Sequence, residues 1–360
     1  MTAPEIFFTG FPGFLGSAVL ERVLARGDGP VACLVQPRYR DLADRRAREI
    51  TENAGVERDD VRIYEGDITE SDLGFDGGEN LESVSELYHF AAVYDLSVEH
   101  DLAHDVNVRG TEHVLEFAET VGVERFHHVS TCYVSGRYDG VFTGDHLEEG
   151  QSFTNHYEET KYRAEVAVRE RMAEGLPATI YRPAIVVGDS ETGETDKYDG
   201  PYYLLRLLLA QPRWLSVAFA LPESGSAELN VVSRDYVVDA IAHLSALEGS
   251  MGETYQLCDP APLTVSRFVS VLAEAAGHRT VTVPTTKRLA KTATAWLAER
   301  GGPAEPATVD YLDHPTRYAC PNTRRALAES GLECPPVESY VDRLVAFVRE
   351  NPEVGDEAMV

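Results

Sequence analysis

The stretch Thr9-Gly10-Phe11-Pro12-Gly13-Phe14-Leu15-Gly16 constrains this chain more than any other. Ile6-Phe7-Phe8 before it has the apolar run of a short buried strand. Leu15, Val19, Leu20, Val23 and Leu24 after it recur at helical spacing. A strand, a glycine-punctuated turn and a helix open a nucleotide-binding βαβ unit. Gly10 allows a tight turn, Gly13 lets backbone N–H groups approach a pyrophosphate, and Gly16 lets the helix pack close to the strand. The helix N-terminus adds partial positive charge for the phosphates. The spacing is G-x-x-G-x-x-G rather than G-x-G-x-x-G, and a ligand-free connection could use the same glycines. Further βα units downstream favour the nucleotide.

Composition narrows the class. With 360 residues the chain can build one large domain or two. No apolar segment with basic flanks precedes the first strand, so a cytoplasmic location is expected. The five cysteines are scattered without a C-x-x-C pair and read as reduced thiols. A net charge of −28 argues against nucleic acid and anionic membrane surfaces. Lysine occurs only at Lys161, Lys197, Lys287 and Lys291. Such an acid-rich, lysine-poor surface suits a salt-loaded cytoplasm and points to a halophilic protein.

Val31-Ala32-Cys33-Leu34-Val35 is a second strand, apolar throughout as a doubly covered strand should be. About 20 positions beyond the glycines, a dinucleotide site places the residue that reads the adenosine ribose. Gln36 holds that place, followed by Arg38 and Arg40. No carboxylate stands there to repel a 2′-phosphate, and two guanidinium groups stand beside it, so NADP is expected over NAD. Leu42–Ala54 reads as a helix and Val61–Tyr64 as a third strand, ending near Asp67 and Ile68, where adenine would lie. Leu87–Ala92 reads as a fourth strand running into the small residues Ala91 and Ala92, suited to close approach by a cofactor. Asp101 could cap a helix carrying Val106, Gly110, Val114 and Phe117. Asn107 on that helix is expected to face solvent or a local bond. Phe126–Ser130 is a fifth strand. His127 and His128 are adjacent on it and face opposite sides, and the other histidines show no ligand spacing, so no metal site is expected.

Ser130-Thr131-Cys132-Tyr133 follows the fifth strand, and Tyr157 and Lys161 stand i and i+4 on the next helix, so both leave one face. A phenol with a pKa near ~10 is a poor acid–base group at neutral pH. An ammonium beside it favours the phenolate and lets the phenol exchange protons. A surface tyrosine with a solvated lysine would show the same spacing, but the position after a Ser-Thr strand end favours catalysis.

As a set these residues resemble the extended short-chain dehydrogenase/reductase superfamily. The matching stretches are Thr9–Gly16, Asp67-Ile68, Asn107-Val-Arg-Gly110-Thr111, Thr131, Tyr157, Lys161 and Arg182-Pro183. Within it, Gly13-Phe14-Leu15-Gly16, His89-Phe90-Ala91-Ala92, Ser130–Val134 and Ile185-Val-Val-Gly188-Asp189 are most similar to the fatty acyl-CoA reductase and thioester reductase group. Cys132-Tyr133 stands where nucleotide-sugar dehydratases carry Asp-Glu. The resemblance implies an α/β Rossmann fold, a doubly wound parallel sheet of about seven strands with a smaller C-terminal substrate region. It implies residues 1–184 with 228–258 as the NAD(P)-binding part, and 185–227 with 259–360 as the substrate part. It assigns Thr131, Tyr157, Lys161 and Asn107 to catalysis. Cofactor contacts fall to Thr9, Gly10, Gly13, Phe14, Leu15, Gly16, Gln36, Arg38, Arg40, Asp67, Ile68, Ala91, Ala92, Tyr157, Lys161, Pro183 and Ile185, and substrate contacts to Val93 and Tyr133.

The later chain is less legible. Tyr202–Leu221 is apolar but broken by Arg206, Pro212 and Arg213, too short to span a bilayer, and suits either a core helix or a wall for an acyl chain. Leu229–Val232 reads as a return to the main sheet, followed by a helix from Asp235. Thr254–Leu257 is a last strand and Val265–Ala276 a helix. Gly301-Gly302-Pro303 marks a loop, and a final helix carries Val337, Val341, Leu344, Val345 and Val348 before an acidic tail. The expected function is NADPH-dependent reduction of a small-molecule carbonyl, an acyl thioester or aldehyde, with a homodimer as the possible assembly. A nucleotide-sugar epimerase and a non-catalytic cofactor-binding structural or regulatory protein are the alternatives.

Overall fold

A computed structural model of the chain describes residues 5–355 except 28, 75–80, 82, 301, 303 and 304. Seven strands form one parallel sheet: β1 Ile6–Thr9, β2 Val31–Val35, β3 Val61–Glu65, β4 Glu86–His89, β5 Arg125–Val129, β6 Ala178–Pro183 and β7 Thr254–Leu257. Their order is β7-β6-β5-β4-β1-β2-β3. The order reverses between β1 and β4, which places a crevice at the carboxyl ends of those two strands. Phe8 lies in register with Cys33 on one side and Tyr88 on the other, so the glycine turn leaves from the middle of the sheet.

The helices that flank it are α1 Phe14–Arg26, α2 Arg40–Ala54, α3 Gly110–Val121, α4 His156–Glu174 and α5 Arg234–Ala246. Successive strand residues face opposite ways. Phe8 packs with Val19, Leu20 and Ile241 on the face where α1 meets α2 and α5, and Phe7 packs with Leu87, Val114 and Phe126 on the face of α3 and α4. Each such side chain, wholly buried, contributes about 1.5–3 kcal/mol. A separate cluster joins Tyr202, Leu205 and Leu229 to Phe268, Val309 and the final helix, Val341–Glu350.

Several boundaries differ from the sequence reading. β4 stops at His89, because the chain from Phe90 leaves the sheet to pass over Gly10. The expected helix from Asp101 is a short turn His100–Ala103, a π-helical segment His104–Arg109, and then α3. Its N-cap is Glu99, so Asp101 sits inside the first turn rather than capping it. Arg182 and Pro183 end β6, and Arg182 is wholly buried against Glu165 at 2.6 Å. Val231–Ser233 does not return to the main sheet but pairs in parallel with Ile185–Val187. The Tyr202–Leu221 stretch divides into a helix, Pro201–Leu209, and a strand, Ser216–Ala220, that pairs with Thr280–Pro284. The loop expected at Gly301 and Pro303 and the end of the acidic tail lie outside the described residues. Among the described residues, no helix is long and apolar enough to cross a membrane, and no group of three or more His, Cys, Asp or Glu could hold a metal ion.

Candidate functional site

The glycine turn closes on itself. Gly10 has φ +85°, and a Cβ there would lie 2.6 Å from the Ala91 nitrogen. At Gly13 and Gly16 a Cβ would lie 2.8 and 2.5 Å from the Gly10 carbonyl oxygen. Side chains are therefore excluded at all three positions. Gly13 is the N-cap of α1, and no side chain caps that helix. Its first N–H groups and the bare turn form a backbone cradle of the kind a pyrophosphate fits. Phe14 and Leu15 begin α1: the Arg234 guanidinium lies 5.2 Å from the Phe14 ring centroid, and Leu15 packs against the core.

At the end of β2, Gln36 Nε2 donates to Asp67 at 2.8 Å, and its Oε1 accepts from Arg38 at 2.7 and 2.9 Å. The other Asp67 oxygen accepts from the backbone and hydroxyl of Thr69. Arg40 is committed elsewhere, to Asp44 at 3.0 Å and Glu65 at 3.4 Å. The two arginines are thus not equivalent: Arg38 meets a neutral amide and the Tyr39 ring, 4.9 Å from its centroid, and among the described residues no carboxylate. Ile68 is buried against Gly110, where a Cβ would come within 2.6 Å of the Ile68 side chain.

A buried chain of hydrogen bonds ties the strand ends together. Thr9 meets His89 at 2.8 Å, His89 meets Thr111 at 3.0 Å, and the Thr111 hydroxyl donates to the Asn107 carbonyl at 2.7 Å. Burial pushes His89 down to about 3, so it works here as a neutral ring. Asn107 does not face solvent. It is 1 % exposed, accepts from the Val93 N–H at 2.8 Å, and donates to the Val93 carbonyl and to Thr160 Oγ1. The π-helical turn points it inward, where it fastens the Ala91–Val93 segment to α4. Val93 itself packs with Val98, Ala103 and Tyr157 rather than lining the pocket.

The expected catalytic group comes together at this edge. Thr131 follows β5, accepts from the Tyr133 N–H, and reaches the Pro183 carbonyl. Burial pushes the Tyr157 phenol up, and the Thr131 hydroxyl draws it partly back. Lys161 is 3 % exposed, and burial pushes it down to about 8. Its ammonium donates to the Val129 carbonyl at 2.8 Å, and it is not among the groups that shift Tyr157. Spacing of i and i+4 places the two Cβ atoms on one face; it does not dictate where the ammonium ends.

Tyr157 opens onto a narrow pocket with about 30 Å³ of free space. Tyr94, Tyr133 and Ile185 line it close to Tyr157, with Leu204 and Leu229 as apolar wall. The Tyr94 ring stands edge-on to Tyr157 at 4.9 Å. Sequence reasoning missed Tyr94, Leu96, Gly200, Thr308 and Tyr311, all on the pocket. None lies in a motif. Of the Tyr202–Leu221 stretch only Leu204 reaches the pocket, while Tyr202, Leu205 and Leu208 are buried in the core.

Residues 8–241 match the Male sterility protein family. The non-canonical nonribosomal peptide synthetase cpsA of Aspergillus campestris is 27% identical over 272 residues, covering 70% of this chain and 25% of that protein. Fatty acyl-CoA reductase wat of Drosophila melanogaster is 26% identical over 238 residues, covering 54% of this chain and 46% of that protein. The chain therefore spans less than half the length of either relative. Among solved structures, the terminal R domain from the myxalamid PKS-NRPS biosynthetic pathway is 26% identical with a TM-score of 0.81, covering 99% of this chain and 93% of that one.

Proposed function

Since the chain belongs to the Male sterility protein family, reductases that use NAD(P) on the extended short-chain dehydrogenase fold, we propose that it reduces an acyl thioester with NADPH. One observation carries the reading: the Tyr157 phenol, with Thr131 acting on it, opens onto a largely apolar pocket and packs on Val93, two residues beyond the Ala91 that meets the glycine turn.

The glycine turn and the α1 N-terminus would hold the pyrophosphate, Ala91 and Ala92 the face of the dinucleotide, and Lys161 a ribose hydroxyl. Arg38 would meet a 2′-phosphate, which favours NADP over NAD. When bound, the reduced nicotinamide supplies the hydride. Thr131 and Tyr157 would both donate to the carbonyl oxygen, where charge develops in the transition state. Tyr157 would then give its proton, and collapse of the hemithioacetal would free thiol and aldehyde. Asn107 acts at a distance, holding the Val93 backbone and α4 in register. The cluster built on Tyr202, Leu229, Phe268 and Val309 would serve as the substrate part, with residues 185–227 and 259–360, and Tyr133 would contact the acyl group.

The deciding experiment incubates the purified chain with NADPH and acyl thioesters of several lengths, following NADPH oxidation and aldehyde or alcohol formation. Oxidation that depends on thioester supports the reading. Interconversion of nucleotide sugars without net NADPH oxidation overturns it.

A further inference from the structure

Each residue from Val129 to Cys132, at the end of β5, is tied to a neighbouring element. The Val129 carbonyl accepts from Lys161 at 2.8 Å. The Ser130 hydroxyl donates to Glu165 at 2.6 Å, the Thr131 hydroxyl reaches the Pro183 carbonyl at 3.4 Å, and the Cys132 thiol meets the Arg182 carbonyl at 3.1 Å. Glu165 joins these ties. It stands one turn beyond Lys161 on α4, so the two side chains leave the same face. Its carboxylate also accepts from the Arg182 guanidinium at 2.6, 3.0 and 3.1 Å, and from Arg169 at 3.2 Å. Ser130, Glu165, Arg182 and Cys132 thereby close a ring across α4, β5 and β6, with Glu165 and Arg182 both 0 % exposed.

A buried charge is costly unless it is paired. Burial alone would raise the Glu165 carboxyl, but Arg182 outweighs it and holds the group below the usual carboxylate range, so it stays ionised. Its charge also opposes the effect of burial at Lys161. From the sheet, His89 on β4 and His128 on β5 feel the Lys161 charge, and burial keeps both rings neutral. Tyr157, on the same face of α4, is kept neutral by burial as well. Glu165 is thus the charged group that favours the ammonium, and the same carboxylate sets where Ser130 leads the chain into Thr131.

We propose that Glu165 is a positioning residue: through Ser130 it fixes the Thr131 hydroxyl, and through its charge it keeps Lys161 an ammonium. This rests on the reading of Thr131 and Lys161 as catalytic residues.

The chain has four lysines, so the ammonium can be read directly. Lysine labelled with carbon-13 at Cε gives one NMR signal per residue, and Lys161→Met identifies the signal of Lys161. Its titration midpoint should lie near 8 in wild type. In Glu165→Gln the midpoint should move down by ~1 pH unit or more. Glu165→Gln with Arg182→Met, which leaves no buried guanidinium unpaired, should do the same and covers the case in which the single variant does not fold. A carboxylate with a purely structural part would leave the midpoint in place. Ser130→Ala cuts the tie to the Thr131 segment and keeps Glu165 on Arg182. Its kcat for thioester reduction should fall by ~10-fold or more, with NADPH affinity within a few fold of wild type, and Ser130→Thr should retain kcat. An unchanged Lys161 midpoint in the Glu165 variants, or wild-type kcat in Ser130→Ala, overturns the proposal. A lowered midpoint with no NADPH oxidation by wild type on any thioester supports Glu165 as the partner of Lys161 and overturns the reductase reading alone.

Discussion

The Lys161 ammonium donates to the main-chain carbonyl of Val129 at 2.8 Å, joining the middle of the first half of α4 to the end of β5. Its pKa is pushed from the ordinary 10.5 to about 8 by burial, with Glu165 opposing. Two consequences run in opposite directions with pH.

Between pH 8 and 10.5 the unfolded chain keeps a proton that the folded chain has shed. The cost of burying that charge is present in full below about pH 8 and is relieved as pH rises towards 10.5, so this group makes the fold more stable there. Activity should go the other way. The kcat/KM, which reports the free enzyme, should fall above about pH 8 as the ammonium is lost. A kcat/KM profile flat to pH 10 would count against a protonated Lys161 in catalysis.

Tyr157→Phe keeps the ring that packs against Tyr94 and removes only the proton donor. Turnover should drop by ~10²-fold or more, with NADPH affinity within a few fold of wild type. Single-turnover assays beside a binding titration check both halves.

Arg38→Ala should weaken NADPH more than NADH, by about 1–3 kcal/mol for a lost charge-assisted contact. Arg40→Ala should affect the two cofactors alike, because its guanidinium is held by Asp44 and Glu65. Cofactor titrations on both variants test the difference, and equal NADPH and NADH affinity in wild type would sink the preference.

Asn107→Ala leaves the Val93 N–H without its partner in a buried position. Stability should fall by about 1–3 kcal/mol. Because Asn107 is a positioning residue, kcat should fall further than NADPH affinity does. Thermal melts and kinetics on the same preparation separate the two.

Stability should also rise with salt. A net charge of −28 repels itself, and the screening length shrinks from ~8 Å at 0.15 M to ~3 Å at 1 M. Melting temperatures across a potassium chloride series should climb well past physiological ionic strength. A flat or falling series would remove the halophilic reading.

Much of the framework is legible in the residues because it is local. The strand Val31–Val35 follows from a short apolar run, and it and the last sheet strand Thr254–Leu257 have the expected bounds. Helical periodicity announces α1 as clearly. The doubly wound parallel sheet follows from the resemblance, while the order of its strands comes from the structure. The outer part of the chain is harder to read. Its pairings, such as Val231–Ser233 with Ile185–Val187, join short segments whose partners no local pattern specifies.

By itself the sequence determined which residues could do chemistry: a glycine spacing that only bare backbone satisfies, and a Tyr157 and Lys161 pair on one helix face. Both are short-range facts, carried by steric exclusion and helical pitch. Only the tertiary structure decided what each group meets. It turned Asn107 inward through a π-helical turn, gave Arg40 to two carboxylates while leaving Arg38 on a neutral amide, and brought Lys161 to a strand carbonyl. It also carried Tyr311 to Asn155 across 156 residues of sequence. Burial, charge pairing and hydrogen-bond satisfaction depend on atoms that arrive from distant parts of the chain, and no periodicity along the sequence encodes them.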